Sequence, residues 1–310
     1  DRSVLEKIFT NSYDILTKTW IQIFFEKSVY DEVLYKGFQT NIAGFNINEI
    51  DEKHEQLPIH LADYEKDRDY FRRKIDDIVL ISKDAIRTCC CVGDYSNQDL
   101  KIHQASVFKV LVSFIYNHPT ISYHQGMTDV VSCFLNVMQS EYEAYLCFTR
   151  FVEDFGSMYT EIGVLEKCAG LRFIIRTIDK ELFYRLQKYQ ISDMTCCFRM
   201  FMTFFLREFT TRKECLRFLE MLCARLYLRT LKNVTTQIPA DKELTYDLFT
   251  CSYLIRRRTS LEGDDLLSAI FGGNRSITAD ELLKMSDLEL NKFNVKYRNQ
   301  NVKKRKWSFF

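Results

Sequence analysis

Glycine and proline are scarce in this chain of 310 residues, at 10 and 3. That excludes a turn-rich sandwich or barrel and suits helices joined by short connections. Charge of either sign is not in excess: the formal net charge is +1, so the strongly basic face of a dedicated nucleic-acid binder is missing. No apolar run reaches the ~18–20 residues that a membrane-crossing helix needs. No glycine-rich phosphate loop is present, so the chain carries no nucleotide-binding loop of its own. The five histidines (His54, His60, His103, His118, His124) form neither a catalytic triad nor a metal-ligand pattern. His124 reads as a solvent-facing loop residue. With Asp1 first and no signal-peptide pattern, the chain reads as a piece of a longer intracellular protein.

What is present is ordinary for a soluble globular protein, with 46% apolar and 27% charged residues and with phenylalanine (25) and tyrosine (17) abundant. Eleven cysteines are an odd number, and most lie in apolar stretches, as at Cys133, Cys147, Cys168, Cys215, Cys223 and Cys251. Neither Cys89-Cys90-Cys91 nor Cys196-Cys197 has metal-ligand spacing. Free, mostly buried thiols of a reducing compartment are expected.

Helix signals are dense. Four capping boxes precede apolar-periodic runs: Ser3/Glu6, Ser140/Glu143, Thr211/Glu214 and Thr278/Glu281. Val107, Val110, Leu111, Phe114 and Ile115 mark one helix, closed by Asn117-His118-Pro119. Val130–Met138 is apolar nearly all round and predicts a central buried helix. The same helical spacing joins Tyr145 to Phe155, Leu171 to Ile178, Phe198 to Phe205, Leu216 to Leu226 and Leu248 to Ile270. No alternating strand is found, and the expected fold class is all-α. Asn46–Tyr70 and Thr230–Glu243 read as irregular connections. The tail Lys303-Lys304-Arg305-Lys306 with Trp307 reads as a solvated terminus, although it could touch an anionic membrane or serve as a nuclear signal.

Two phrases carry the chemistry. The first is Ile81-x-x-Asp84-x-x-Arg87 followed by Thr88, and the second is Tyr123-x-Gln125-Gly126-Met127. Arginine is a forked, permanently charged donor that can bind two phosphate oxygens. Glutamine can both accept from and donate to an attacking water. These are the side chains that phosphoryl transfer from GTP most needs. Alone, the first phrase is also an intrahelical ion pair, and the second a loop entering a buried helix.

Together the phrases resemble the TBC-domain family, the Rab GTPase-activating proteins. The likeness continues through His118-Pro119 to Asp129, through Glu143-Ala144 with Cys147-Phe148, and through Phe198-Arg199 with Phe205-x-Arg207-Glu208-Phe209. It extends to Leu216-Arg217-Phe218-Leu219-Glu220 and Glu262-x-Asp264-Asp265-x-Leu267, covering about residues 30–292. Departures are Ala43 and Ile47 in the opening motif, in place of an arginine and a tryptophan, and Met200 and Leu219 where tryptophans are usual.

The resemblance implies a helix over residues 1–29, a TBC domain of two helical subdomains over 30–292, and a basic and aromatic tail over 293–310. It implies that Arg87 and Gln125 are inserted as two fingers beside the γ-phosphate of a GTP-bound Rab-family GTPase. Asp84 would hold the guanidinium, Ile81 support that helix, Tyr123 and Gly126 shape the glutamine loop, and Thr88 steady the turn after Arg87. Arg207 would bind loop carbonyls. No cofactor or metal of its own is implied, because GTP and Mg2+ belong to the partner. Nucleic acid is not expected as a partner, and membranes only indirectly, with the protein cytoplasmic and peripheral to vesicles or endomembranes. A domain that binds a GTPase without activating it is the alternative.

Overall fold

The computed structural model describes residues 68–88, 96–118, 120–138, 140–232, 245–261, 266–272 and 277–307. The Ser3/Glu6 box, the opening motif with Ala43 and Ile47, Cys89–Cys91, His54, His60, Pro119 and the Glu262–Asp265 acids lie outside the described residues. So do nearly all of the two segments read as irregular, whose edges at 68–70 and 230–232 are helical. Among the described residues there are eleven α-helices and no strand, so the all-α expectation holds. No helix among them is long and apolar enough to cross a membrane.

The chain divides into two compact units between Gly156 and Ser157. The first contains α1 (Arg68–Arg87), α2 (Asn97–Asn117), α3 (Met127–Val137) and α4 (Glu141–Phe155). Local chemistry starts two of them: Ser96 Oγ accepts from the Asp99 N–H at 3.2 Å, and Ser140 Oγ from the Glu143 N–H at 3.2 Å. α3 is buried almost all round, as its composition requires, and packs against both α2 and α4. Phe114 meets Phe148 edge-on at 4.9 Å, and Phe134 meets Phe151 at 5.9 Å, so the aromatic stripes read from sequence form one core. Ile78, Ile81 and Ala85 give α1 its buried face, one turn apart, against α2.

The second unit holds α5 (Glu161–Ile178), α6 (Lys180–Lys188), α7 (Phe198–Met202), α8 (Arg212–Lys232), α9 (Tyr246–Leu261), α10 (Leu266–Gly272) and α11 (Ala279–Trp307). The Thr211 and Thr278 hydroxyls accept from the Glu214 and Glu281 N–H groups at 3.3 and 3.2 Å, as their capping boxes predict. Glu214 does not reach back to its cap. Its carboxylate takes the Ala279 N–H instead, fastening the start of α11 to α8. α11 runs unbroken through residue 292, where the sequence suggests a boundary, and Phe293 is buried against Phe249 at 5.7 Å.

The Phe198–Phe205 run does not form the single helix its spacing suggests. α7 ends at Met202, and Phe204 and Phe205 adopt left-handed backbone with φ of 46° and 61°. Each such residue costs ~1–2 kcal/mol. Burial of a phenylalanine ring stabilises by ~1.5–3 kcal/mol, and both rings are buried, Phe205 against Phe201 and Phe218. Ring burial wins over backbone preference. The described cysteines are free and mostly buried, as expected. Met200 and Leu219, where tryptophans are usual in the resembled family, are core residues.

Candidate functional site

The last turn of α1 positions Arg87. Asp84 precedes it by three residues, so the two side chains share one helix face. The Asp84 carboxylate is 7% exposed and the Arg87 side chain 65% exposed. Arg87 Nε donates to Asp84 Oδ1 at 2.8 Å, and Nη2 donates to the same oxygen. The other oxygen, Oδ2, accepts from the Tyr123 hydroxyl at 2.6 Å. One buried carboxylate therefore ties the helix end to the loop before α3, across 39 residues of sequence. Because both oxygens are engaged, the carboxylate has little freedom to swing away, and the guanidinium it holds stays at the surface.

Further bonds lock the helix end. Thr88 Oγ1 donates to the Asp84 carbonyl at 2.7 Å, and the Thr88 N–H to the Ala85 carbonyl at 3.2 Å. Ile81 is fully buried one turn before Asp84, seating this part of α1. Sequence reasoning missed Gln104, whose amide donates from α2 to the Ile86 carbonyl. Only the packing of α2 against α1 brings that donor to a carbonyl in the last turn of α1, where intrahelical donors run out. No local spacing signals it.

The glutamine loop is built from Tyr123 onward. Tyr123 is buried, and its hydroxyl is held well above the ordinary tyrosine range, first by burial and then by its bond to Asp84 and that group's negative charge. It is a proton donor throughout the physiological range. The His124 carbonyl accepts from the Met127 N–H at 3.1 Å, closing a tight turn around Gln125 and Gly126. Gly126 has φ 108°, a left-handed conformation that a side chain would strain, and it also caps α3. Gln125 at the turn is exposed. His124 is half-buried rather than solvent-facing, and burial lowers its imidazole below the ordinary histidine value, favouring the neutral form.

Arg207 lies in the second unit, half-buried in the 3₁₀ turn Leu206–Glu208. From α9, Arg258 donates from Nη1 to the Ile270 carbonyl at 2.9 Å and pairs with the fully buried Glu208 of that turn. No group of His, Cys, Asp and Glu among the described residues is arranged to hold a metal ion.

The Rab-GTPase-TBC domain family model matches residues 39–238. TBC1 domain family member 25 of Homo sapiens is 29% identical over 143 residues, which is 46% of this chain and 21% of that protein. Rab GTPase-activating protein 22 of Arabidopsis thaliana is 30% identical over 108 residues, 34% of this chain and 20% of that protein. The GTPase-activating protein GYP7 of Saccharomyces cerevisiae is 28% identical over 109 residues, 34% of this chain and 15% of that protein. The matched stretches thus span 15% to 21% of these relatives' lengths. The crystal structure of the Ypt/Rab-GAP domain of Gyp1p covers 92% of this chain and 99% of its own, with a TM-score of 0.54 and 15% identity, a likeness of fold.

Proposed function

We propose a function from a plain premise: this chain belongs to the Rab-GTPase-TBC domain family. It accelerates GTP hydrolysis by a Rab-family small GTPase, completing the partner's active site with Arg87 and Gln125. The observation that carries this reading is the Asp84 carboxylate, which grips Arg87 with one oxygen and Tyr123 with the other while the guanidinium stays exposed. A surface ion pair has no need of a buried anchor. A cation that must enter a neighbour's phosphate site does, because a fixed geometry lowers the entropy lost on docking.

In the proposed reaction, water attacks the γ-phosphorus of GTP on the partner while its bond to the β–γ bridging oxygen breaks, and charge moves onto that oxygen and the β-phosphate oxygens of the departing GDP. Arg87 donates to those oxygens, an effect worth roughly 10³–10⁵ in rate. Gln125 orients the water through its amide. Tyr123 and Gly126 hold the loop that carries Gln125. GTP and Mg2+ are the partner's. The domain acts on GTP-bound Rab at the cytoplasmic face of vesicles or endomembranes.

Single-turnover GTP hydrolysis by a panel of Rab proteins, with and without the chain, tests the reading. Acceleration of at least one Rab is expected. Rab binding without acceleration of any Rab would replace it with a binding-only role.

A further inference from the structure

We propose that the corner between α5 and α6 is a binding site for a phosphate-dense small anion, such as a multiply phosphorylated inositol. The two helices meet across a single residue, Asp179, which closes α5 and caps α6. Their junction forms an open surface cavity of about 300 Å³, at the lower end of small-molecule pockets, ~300–1,000 Å³. It is lined by Arg172 and Arg176 from α5 and by Lys180, Phe183, Tyr184 and Gln187 from α6. Arg172 and Arg176 are four residues apart. The α6 set falls at successive turns, so each helix turns one continuous face to the cavity.

Among the described residues the lining holds three cations and no carboxylate. Phe183 is the buried member of the lining, with the Arg172 and Arg176 guanidinium carbons 5.9 and 6.0 Å from its ring centroid. The ring orients both guanidinium groups without neutralising them. Asp179, which joins the two helices, is engaged elsewhere: it accepts from Arg256 Nε at 2.9 Å and from the Leu182 N–H at 3.1 Å. None of the three cations enters an ion pair among the described residues. Like charges four residues apart on one helix repel, and an anion in the cavity relieves that repulsion.

The donor set selects the anion. Two arginine forks suit the paired oxygens of phosphate, and the lysine adds a point charge. Gln187 supplies an amide, and the 66% exposed Tyr184 a hydroxyl and a ring face. Three cations exceed what one carboxylate can balance. A net charge of +1 does not favour an extended nucleic-acid backbone.

Calorimetric titration of the full chain with inositol trisphosphate, pyrophosphate and inorganic phosphate tests the site. Affinity should fall in that order and should weaken as salt is raised. The Arg172→Glu, Arg176→Glu double variant, with a thermal melt showing it folded, should lose at least about tenfold in affinity, since even one charge-assisted hydrogen bond is worth about that much. Arg172→Lys with Arg176→Lys should retain part of the binding and serves if the reversal variant misfolds. Arg87→Ala should bind as the wild type does.

A vesicle assay set beside the soluble titration separates the sources of the phosphate. Sedimentation with phosphatidylcholine vesicles carrying phosphatidylinositol bisphosphate, competed by inositol trisphosphate, assigns a lipid headgroup. Binding of the soluble trisphosphate alone assigns a free metabolite, and either result supports the site. Absence of trisphosphate binding at low salt would overturn it. So would equal affinity of a folded double variant, or polyglutamate binding as tightly as the trisphosphate, which would indicate an acidic peptide partner.

Discussion

Arg87 and Arg258 each lean on a carboxylate, in opposite surroundings. Asp84 is buried and Arg87 exposed, whereas Glu208 is 0% and Arg258 3% exposed. In the first unit the acid is an anchor and the cation is held out to solvent. In the second unit both charges are withdrawn from water, Arg199 approaches Glu208 at 3.6 Å, and Arg258 also binds the Ile270 carbonyl. The same two chemical groups thus serve display in one unit and cohesion in the other. Burial of the cation decides which. A solvated guanidinium can be offered to a partner, but a desolvated one exists only while its own partner remains.

The sharpest way to break this comparison is to delete each arginine's contribution separately. Arg87→Ala should lower the acceleration of Rab GTP hydrolysis by roughly 10³-fold or more, with a melting curve close to that of the wild type. Arg87→Lys should fail similarly, because an ammonium cannot make the forked contact. Full acceleration by a folded Arg87→Ala protein in single-turnover assays would remove the finger.

Glu208→Ala should do the reverse, costing ~3–5 kcal/mol of stability because Arg258 is stranded in the interior. Replacing Glu208 and Arg258 together with apolar residues should recover much of that loss. Urea midpoints check both, and an undisturbed midpoint for Glu208→Ala would contradict the cohesive role.

A smaller effect sharpens the anchor. Tyr123→Phe leaves one oxygen of buried Asp84 without its donor, which should cost ~1–3 kcal/mol. It should also lower acceleration less than Arg87→Ala does. Comparing denaturant midpoints and hydrolysis rates for the two variants tests that order. Gly126→Ala places a side chain at φ 108° and should cost ~1–2 kcal/mol, read by the same denaturant titration.

A separate effect is a pH dependence in α8. Burial pushes the Glu220 carboxyl up to about 8, against the opposing pull of Arg217. The folded state then binds more protons than the unfolded state between the ordinary glutamate value and pH 8, so this group makes stability fall as pH rises through that window. Glu220→Gln should flatten that part of the stability curve. An unchanged slope would show that the carboxyl titrates normally.

Features written within one helical turn were legible. The boxes at Ser140, Thr211 and Thr278 form because a hydroxyl and an N–H three residues apart must meet at a helix start. The Asp84–Arg87 pairing and the Thr88 turn follow from the same short spacing. The all-round burial of α3 follows from an apolar segment with no polar face to turn outward. Helix content, the family likeness and the identity of the candidate fingers therefore came from sequence alone.

Contacts whose partners are distant along the chain were not legible. Tyr123 was expected beside the glutamine loop, but nothing local says that its hydroxyl spans 39 residues to the second oxygen of Asp84. Gln104 on the Ile86 carbonyl and Glu208 beneath Arg258 are of the same kind. The Phe198–Phe205 run even misleads, because its spacing favours a continuous helix while the available ring pockets favour a break at Met202. Local sequence sets which backbone states and neighbouring hydrogen bonds are cheap. Which charges are desolvated, and which carboxylate receives a second donor, depends on what tertiary packing removes from water, and that is a property of the folded chain alone.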